Sequence, residues 1–182
     1  EEVLTASLGR NVMLRLPWLF AAWLGGLLAA QGIGAYEEMT QMILLFPFIP
    51  IIIGMGGNVG TQAATIVVRG MATGRLSAAQ RVSTVFREIR VSLALGGIFG
   101  VLLGLTVIAS DFESVTNRSL ALAVSLSLVT SMAIAASVGA SVPIILKRFG
   151  IDPAIATGPF VTTSIDVLGI VAYFSIASLL FR

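Results

Sequence analysis

The chain has 182 residues, of which 57% are hydrophobic and 11% charged, with a mean hydropathy of +1.00. Soluble domains carry about 25% charged residues, so this composition excludes an ordinary soluble fold and leaves room for about five membrane crossings of about 20 residues each. The net charge of +2 decides little, but cysteine and histidine are both absent, which excludes disulfide frameworks, thiolate or imidazole metal sites and Cys/His nucleophiles.

Any metal site must therefore be built from oxygen, which is the ligand chemistry of hard cations such as Mg²⁺ and Ca²⁺. Nucleic acid is not an expected partner, because the arginines lie in short loops between apolar runs and form no single basic face. The chain opens at Glu1 with neither an initiator methionine nor a signal peptide. We read it as the membrane part of a longer protein.

Residues 1–15 are mixed and partly amphipathic, and they predict an interfacial helical lead-in or the end of an upstream helix. Residues 16–33 form the first spanning candidate. Pro17 stands in its first turn, where proline is tolerated, and Trp18 and Trp23 suit the headgroup level. Tyr36, Glu37 and Glu38 make a short acidic connection.

Residues 39–68 run for about 45 Å if helical, longer than one straight span needs. Pro47 and Pro50, then Gly54, Gly56, Gly57 and Gly60, punctuate them, and polar Asn58, Thr61 and Gln62 follow the glycines. We expect this second span to be bent or locally unwound. Irregular backbone at membrane depth survives only where it is buried in protein or lines water, so the segment points to a pathway.

The main polar connection, residues 69–90, holds five arginines. Ser77 and Gln80 have capping-box spacing, which starts a helix near Ala78. The third span, residues 91–109, carries Gly96, Gly100 and Gly104 at four-residue spacing, a small-residue packing stripe. After a polar loop at 111–119, the fourth span covers residues 120–146 with a serine- and alanine-rich face, and a tight turn at 147–153 leads into the fifth, residues 154–181. With the N-terminus inside, nine of the eleven Lys and Arg residues fall on the inner side and two, Arg118 and Arg182, on the outer. That split favours an N-in, C-out topology. No internal repeat is evident.

The fifth span holds one acid, Asp166. At about twelve residues into the helix it lies roughly 18 Å deep, near the middle of a hydrocarbon core about 30 Å thick. Acids at that depth face a pathway or a partner. The alternative is a protonated, hydrogen-bonded structural aspartate. Thr162 lies one turn before Asp166 and Gly158 one turn further back, so the three trace a polar line on one face, with Thr163 at its edge. In a dimer two Asp166 carboxylates can face each other across a shared axis, and a divalent cation relieves their repulsion.

No catalytic constellation is present, and we do not read the chain as an enzyme. Lys147 is the lone lysine and sits at a loop, and Asp166 lacks the second membrane-embedded acid that an intramembrane aspartyl protease requires. The glycine run at 54–62 has a look-alike in phosphate-binding loops, but it lacks the Lys-Ser/Thr of a P-loop and no strand precedes it.

The segments PFIPIIIGMGGNVGTQAATIVVRG (47–70) and DPAIATGPFVTTSIDVLG (152–169) resemble the transmembrane domain of the MgtE family of magnesium channels, which are related to eukaryotic solute-carrier magnesium transporters. The resemblance spans the whole chain. It implies an all-α integral membrane fold of five transmembrane helices, forming a homodimer with the ion path on the two-fold axis and lined mainly by the second and fifth helices. It puts the pore aspartate at Asp166, the carbonyl one turn earlier at Thr162 and a polar pore-side residue at Asn58; we expect Gly54, Gly57, Gly158 and Thr163 to line the path beside them. Some members have Asn in the position of Gly158, so their side-chain ligand is absent here. Glu88 and Asp152 match acidic positions near the cytoplasmic mouth, where the family binds regulatory magnesium; without the resemblance they read as interfacial charges. The implied cargo is Mg²⁺, and the implied partners are a second copy of the chain, membrane lipid and the cytosolic regulatory domains of the full-length protein. A Na⁺- or H⁺-coupled divalent cation transporter is the competing reading, and a membrane scaffold or receptor without transport is a third. The whole reading places residues 1–15 as a lead-in and 16–182 as a pore domain in the cell (inner) membrane.

Overall fold

The computed structural model describes residues 8–36, 42–110 and 117–181. Among them, five long helices run in chain order: α1 (Leu8–Gly34), α2 (Ile49–Ala72), α3 (Arg81–Ala109), α4 (Asn117–Arg148) and α5 (Pro153–Leu180). The shortest has 24 residues, about 36 Å of rise. Four helices are long and apolar enough to cross a membrane, and within α1 the apolar stretch Leu19–Gly34 is shorter. The described residues contain no strand. The described residues are therefore all-helical, with four helices of the length and apolarity that a membrane span needs.

The fourth helix is the hub, with α2, α3 and α5 each packing along it, while α1 packs on α5 and α3 touches α2 only slightly. Small residues on α4 and its neighbours allow this. A Cβ at Gly96 would meet the Val129 Cα at 3.0 Å, and one at Gly100 would meet the Ser125 carbonyl oxygen at 3.0 Å. Ser125 Oγ donates back to the Gly100 carbonyl at 2.8 Å. The expected stripe on the third helix thus seats α3 on α4, replacing hydrophobic drive, which is weak between helices in lipid, with backbone approach. Large apolar side chains such as Leu102, Leu105, Leu122 and Leu126 remain exposed on the outside, as lipid-facing surfaces require.

The second span departs from expectation in one respect. It is irregular before Ile49, where single 3-10 turns occupy Met42–Leu44 and Phe46–Phe48, but the glycine run lies in unbroken α-helix. Gly56 and Gly60 are not hinges. They let α2 lie against α4 and α5, where Ser131, Ala135 and Ile165 would meet any added Cβ. The irregular entry is pinned by Tyr173, fully buried on α5, whose hydroxyl donates to the Leu45 carbonyl at 2.8 Å. Tyr173→Phe should cost about 1–3 kcal/mol by orphaning that carbonyl; a thermal midpoint unchanged from wild type would refute the anchor.

The third helix is entered as the sequence predicts, beginning with a 3-10 turn at Ala78–Gln80. Ser77 donates from both its backbone nitrogen (3.2 Å) and its hydroxyl (2.9 Å) to Gln80 Oε1. Gly150, at φ 74°, ends α4 in the left-handed conformation that glycine adopts without strain. Ile151 N–H then closes the turn on the Leu146 carbonyl at 3.0 Å. Residues 8–15 run without a break into the first apolar stretch. Residues 1–7, the acidic pair Glu37 and Glu38, and most of the 111–119 loop lie outside the described residues.

Candidate ion-path site

Helix α2 carries a polar face that no other helix covers among the described residues. Gly54, Asn58, Thr61, Gln62 and Thr65 recur at three- and four-residue spacing, and all five are exposed. Beside α5 this face forms a recess of about 620 Å³ lined by Gly54, Gly57, Asn58, Thr61, Gln62, Thr65, Ile66 and Thr162. A second recess of about 370 Å³ continues from it, adding Arg69, Gly158 and Val161. Asn58 and Gln62 make no hydrogen bond with any described residue, and polar side chains left so at membrane depth require water or a second polar surface.

The lining is built to accept hydrogen bonds. Thr61 Oγ1 donates to the Gly57 carbonyl at 2.7 Å and Thr65 Oγ1 to the Thr61 carbonyl at 2.8 Å. Across the recess Thr162 Oγ1 donates to the Gly158 carbonyl at 3.0 Å. The Thr61 and Thr65 hydroxyl protons are thereby committed to their own helix, which leaves their oxygen lone pairs to face the recess. Such a surface favours a hard cation or the water shell of one.

Asp166 lies one turn beyond Thr162 on α5 and is half-buried. Its neighbour Ile165 is fully buried and wedges into Gly60 and Gly56 of α2, which fixes the rotation of α5. Among the described residues no hydrogen bond or ion pair satisfies the Asp166 carboxylate. A structural aspartate would have an internal partner, because an unpaired buried carboxylate is costly.

The other predicted positions separate. Gly54, Gly57, Asn58, Gly158 and Thr162 come together around the two recesses. Thr163 turns toward α1, where its Cγ2 occupies the space beside Gly25. A Cβ at Gly158 would meet nothing within 4 Å. Glu88 is buried on α3 and accepts from Arg87 Nη2 at 3.3 Å, whereas Asp152 is exposed in the α4–α5 turn. Within the described residues no three acids gather into a metal cluster. Thr65 was missed from the sequence, although its four-residue spacing from Thr61 was a usable signal.

The MgtE profile, described as a divalent cation transporter, matches residues 49–176. The chain belongs to the MgtE family. Proteins named "Magnesium transporter MgtE" are similar to it: that of Bacillus subtilis is 36% identical over 165 residues, covering 90% of this chain. Those of Enterococcus faecalis and Thermus thermophilus are each 32% identical, covering 92% of this chain. The chain spans 36% of the length of each of these relatives. As an MgtE-family chain with four long apolar helices, it is a multi-pass membrane protein.

Proposed function

We propose that this chain is the pore-forming part of a Mg²⁺-selective channel that takes magnesium passively across the cell (inner) membrane. Two copies place their α2 and α5 faces around a two-fold axis, and the paired Asp166 carboxylates hold the hydrated ion. The observation that carries this reading is the half-buried Asp166 without an internal partner, one turn from an acceptor-lined recess. The relatives named as magnesium transporters support the choice of cation.

Mg²⁺ dehydrates reluctantly, so a lining of hydroxyl and carbonyl oxygens suits an ion that keeps its waters. Each 100 mV of membrane potential supplies about 4.6 kcal/mol to a divalent cation, twice the value for unit charge. Five crossings with the N-terminus inside fit the arginine distribution. Glu88 and Asp152 are the candidates for regulatory magnesium near the inner mouth, together with cytosolic domains of a longer protein.

Secondary transporters with midplane sites use discontinuous helices, and the unbroken α2 speaks for a pore over Na⁺- or H⁺-coupled exchange. Planar-bilayer recording tests this. Discrete openings in symmetrical Mg²⁺ are expected. Saturable flux that needs a Na⁺ or H⁺ gradient, with no openings, would overturn the channel reading, and an absence of any Mg²⁺ flux would favour a scaffold.

A further inference from the structure

A third recess, of about 430 Å³, opens between the end of α2 and the start of α3 and shares Ile66 with the 620 Å³ recess. It exists because these two helices scarcely touch. Its lining is Ile66, Gly70, Arg75, Leu76, Gln80, Ser83, Thr84, Arg87 and Arg90, three cations with no acid. We propose that this recess is a binding site for the phosphate of an anionic phospholipid headgroup.

The donors are sorted for such a ligand. Ser83 and Thr84 give their hydroxyl protons to the Gln80 carbonyl, each at 2.9 Å, so they are not the anion's donors. Gln80 has its Oε1 engaged by Ser77, which leaves its amide N–H groups as donors. Arg87 shares one nitrogen with Glu88 at 3.3 Å but keeps a side chain that is 63% exposed. Arg75 and Arg90 form no salt bridge with any described residue. The guanidinium fork matches phosphate oxygens in a bidentate way.

The surroundings select a lipid over a free anion. Ile66 lines the recess and is exposed, and Val82, Phe86 and Val91 stand exposed on the same helix as Arg87 and Arg90. An amphipathic ligand is thus offered a charged seat and an apolar flank. α3 is 29 residues long, about 43 Å of rise, so its arginine-bearing first turns extend beyond a core about 30 Å thick, to headgroup level. Basic recesses between helices on the cytoplasmic side are where anionic headgroups bind. The site does not depend on which ion the chain passes.

Native mass spectrometry of the intact protein in neutral detergent, titrated with phosphatidylglycerol and separately with phosphatidylcholine, tests the proposal. Wild type should prefer phosphatidylglycerol. Arg87→Gln with Arg90→Gln should weaken it about 25-fold, roughly fivefold for each arginine removed, with phosphatidylcholine unaffected. Lys147→Gln with Arg148→Gln removes the same charge from the exposed end of α4 and should change the preference little. An equal loss in both pairs would reduce the effect to general surface charge and overturn the site. Displacement of phosphatidylglycerol by millimolar inorganic phosphate would assign the recess to a free anion and overturn the headgroup. Displacement by an acidic peptide would assign it to a protein segment and overturn the headgroup equally. A thermal midpoint near wild type in both variants confirms that folding is not what is being read.

Discussion

Asp166→Ala is expected to abolish Mg²⁺ uptake into liposomes, a loss of at least 100-fold, while the protein keeps its thermal midpoint. The size follows from electrostatics: at an effective dielectric constant of about 20, one carboxylate about 5 Å from a divalent ion contributes about 6–7 kcal/mol before desolvation. Solvation costs offset much of this, yet about 3 kcal/mol of net loss already exceeds 100-fold. Stability should not fall, because the Asp166 carboxylate has no hydrogen-bonding or ionic partner among the described residues of its own protomer.

Asp166→Asn separates charge from shape. It keeps volume and polarity but removes the negative charge, so uptake should fall nearly as far as in the alanine variant. The structural-aspartate alternative predicts the opposite pattern: asparagine would preserve both folding and flux, and alanine would unfold the protein. Wild-type flux in Asp166→Ala would remove Asp166 from the ion path altogether, leaving Asn58, Gln62 and the Thr61, Thr65 and Thr162 hydroxyls as the polar lining of the recess.

How far the sequence could be read varied with the kind of information each residue carried. Gly96, Gly100 and Gly104 were legible because four-residue spacing on a helix has one geometric meaning, a common face, and that face meets α4. Ser77 and Gln80 were legible because a cap is a local device. The glycines at 54–60 were not, since glycine permits both bending and close approach. Packing alone distinguishes the two: Gly56 and Gly60 abut α4 and α5, and Gly54 and Gly57 open onto space. Thr162 and Thr163 differ by one position and about 100° of rotation. Only the seating of α1 on α5, with Gly25 under Thr163, shows which of them reaches the α2 recess. The polar face of α2 was visible as a run of residue types, but the commitment of its hydroxyl protons depends on side-chain rotamers that no sequence pattern specifies.

Gly139 is expected to be the most sensitive structural position, because it lies where α2 and α4 cross backbone to backbone. A Cβ there would run into the Gly60 carbonyl oxygen, with the Gly60 carbonyl carbon at 2.8 Å and its Cα at 2.9 Å. None of these is a flexible side chain that can step aside. Relief requires α2 to move off α4. Gly60→Ala differs, since its Cβ meets the end of the Ile165 side chain, which can rotate, and the Ala135 carbonyl at 3.0 Å. Gly97→Ala meets nothing within 4 Å. Overpacking costs about 1–3 kcal/mol, and for a chain of this size that corresponds to about 2–12 °C in thermal midpoint. The expected order is therefore Gly139→Ala at the upper end, Gly60→Ala near the lower end and Gly97→Ala close to wild type. Gly139→Val should prevent accumulation of folded protein. Because Ile165 seats α5 on the same stretch of α2, Gly139→Ala should also lower Mg²⁺ flux by shifting α2 against Thr162 and Asp166, although Gly139 lines neither recess beside them. A Gly139→Ala protein with wild-type midpoint and flux would mean that the crossing is not held as tightly as the Gly60–Gly139 approach requires.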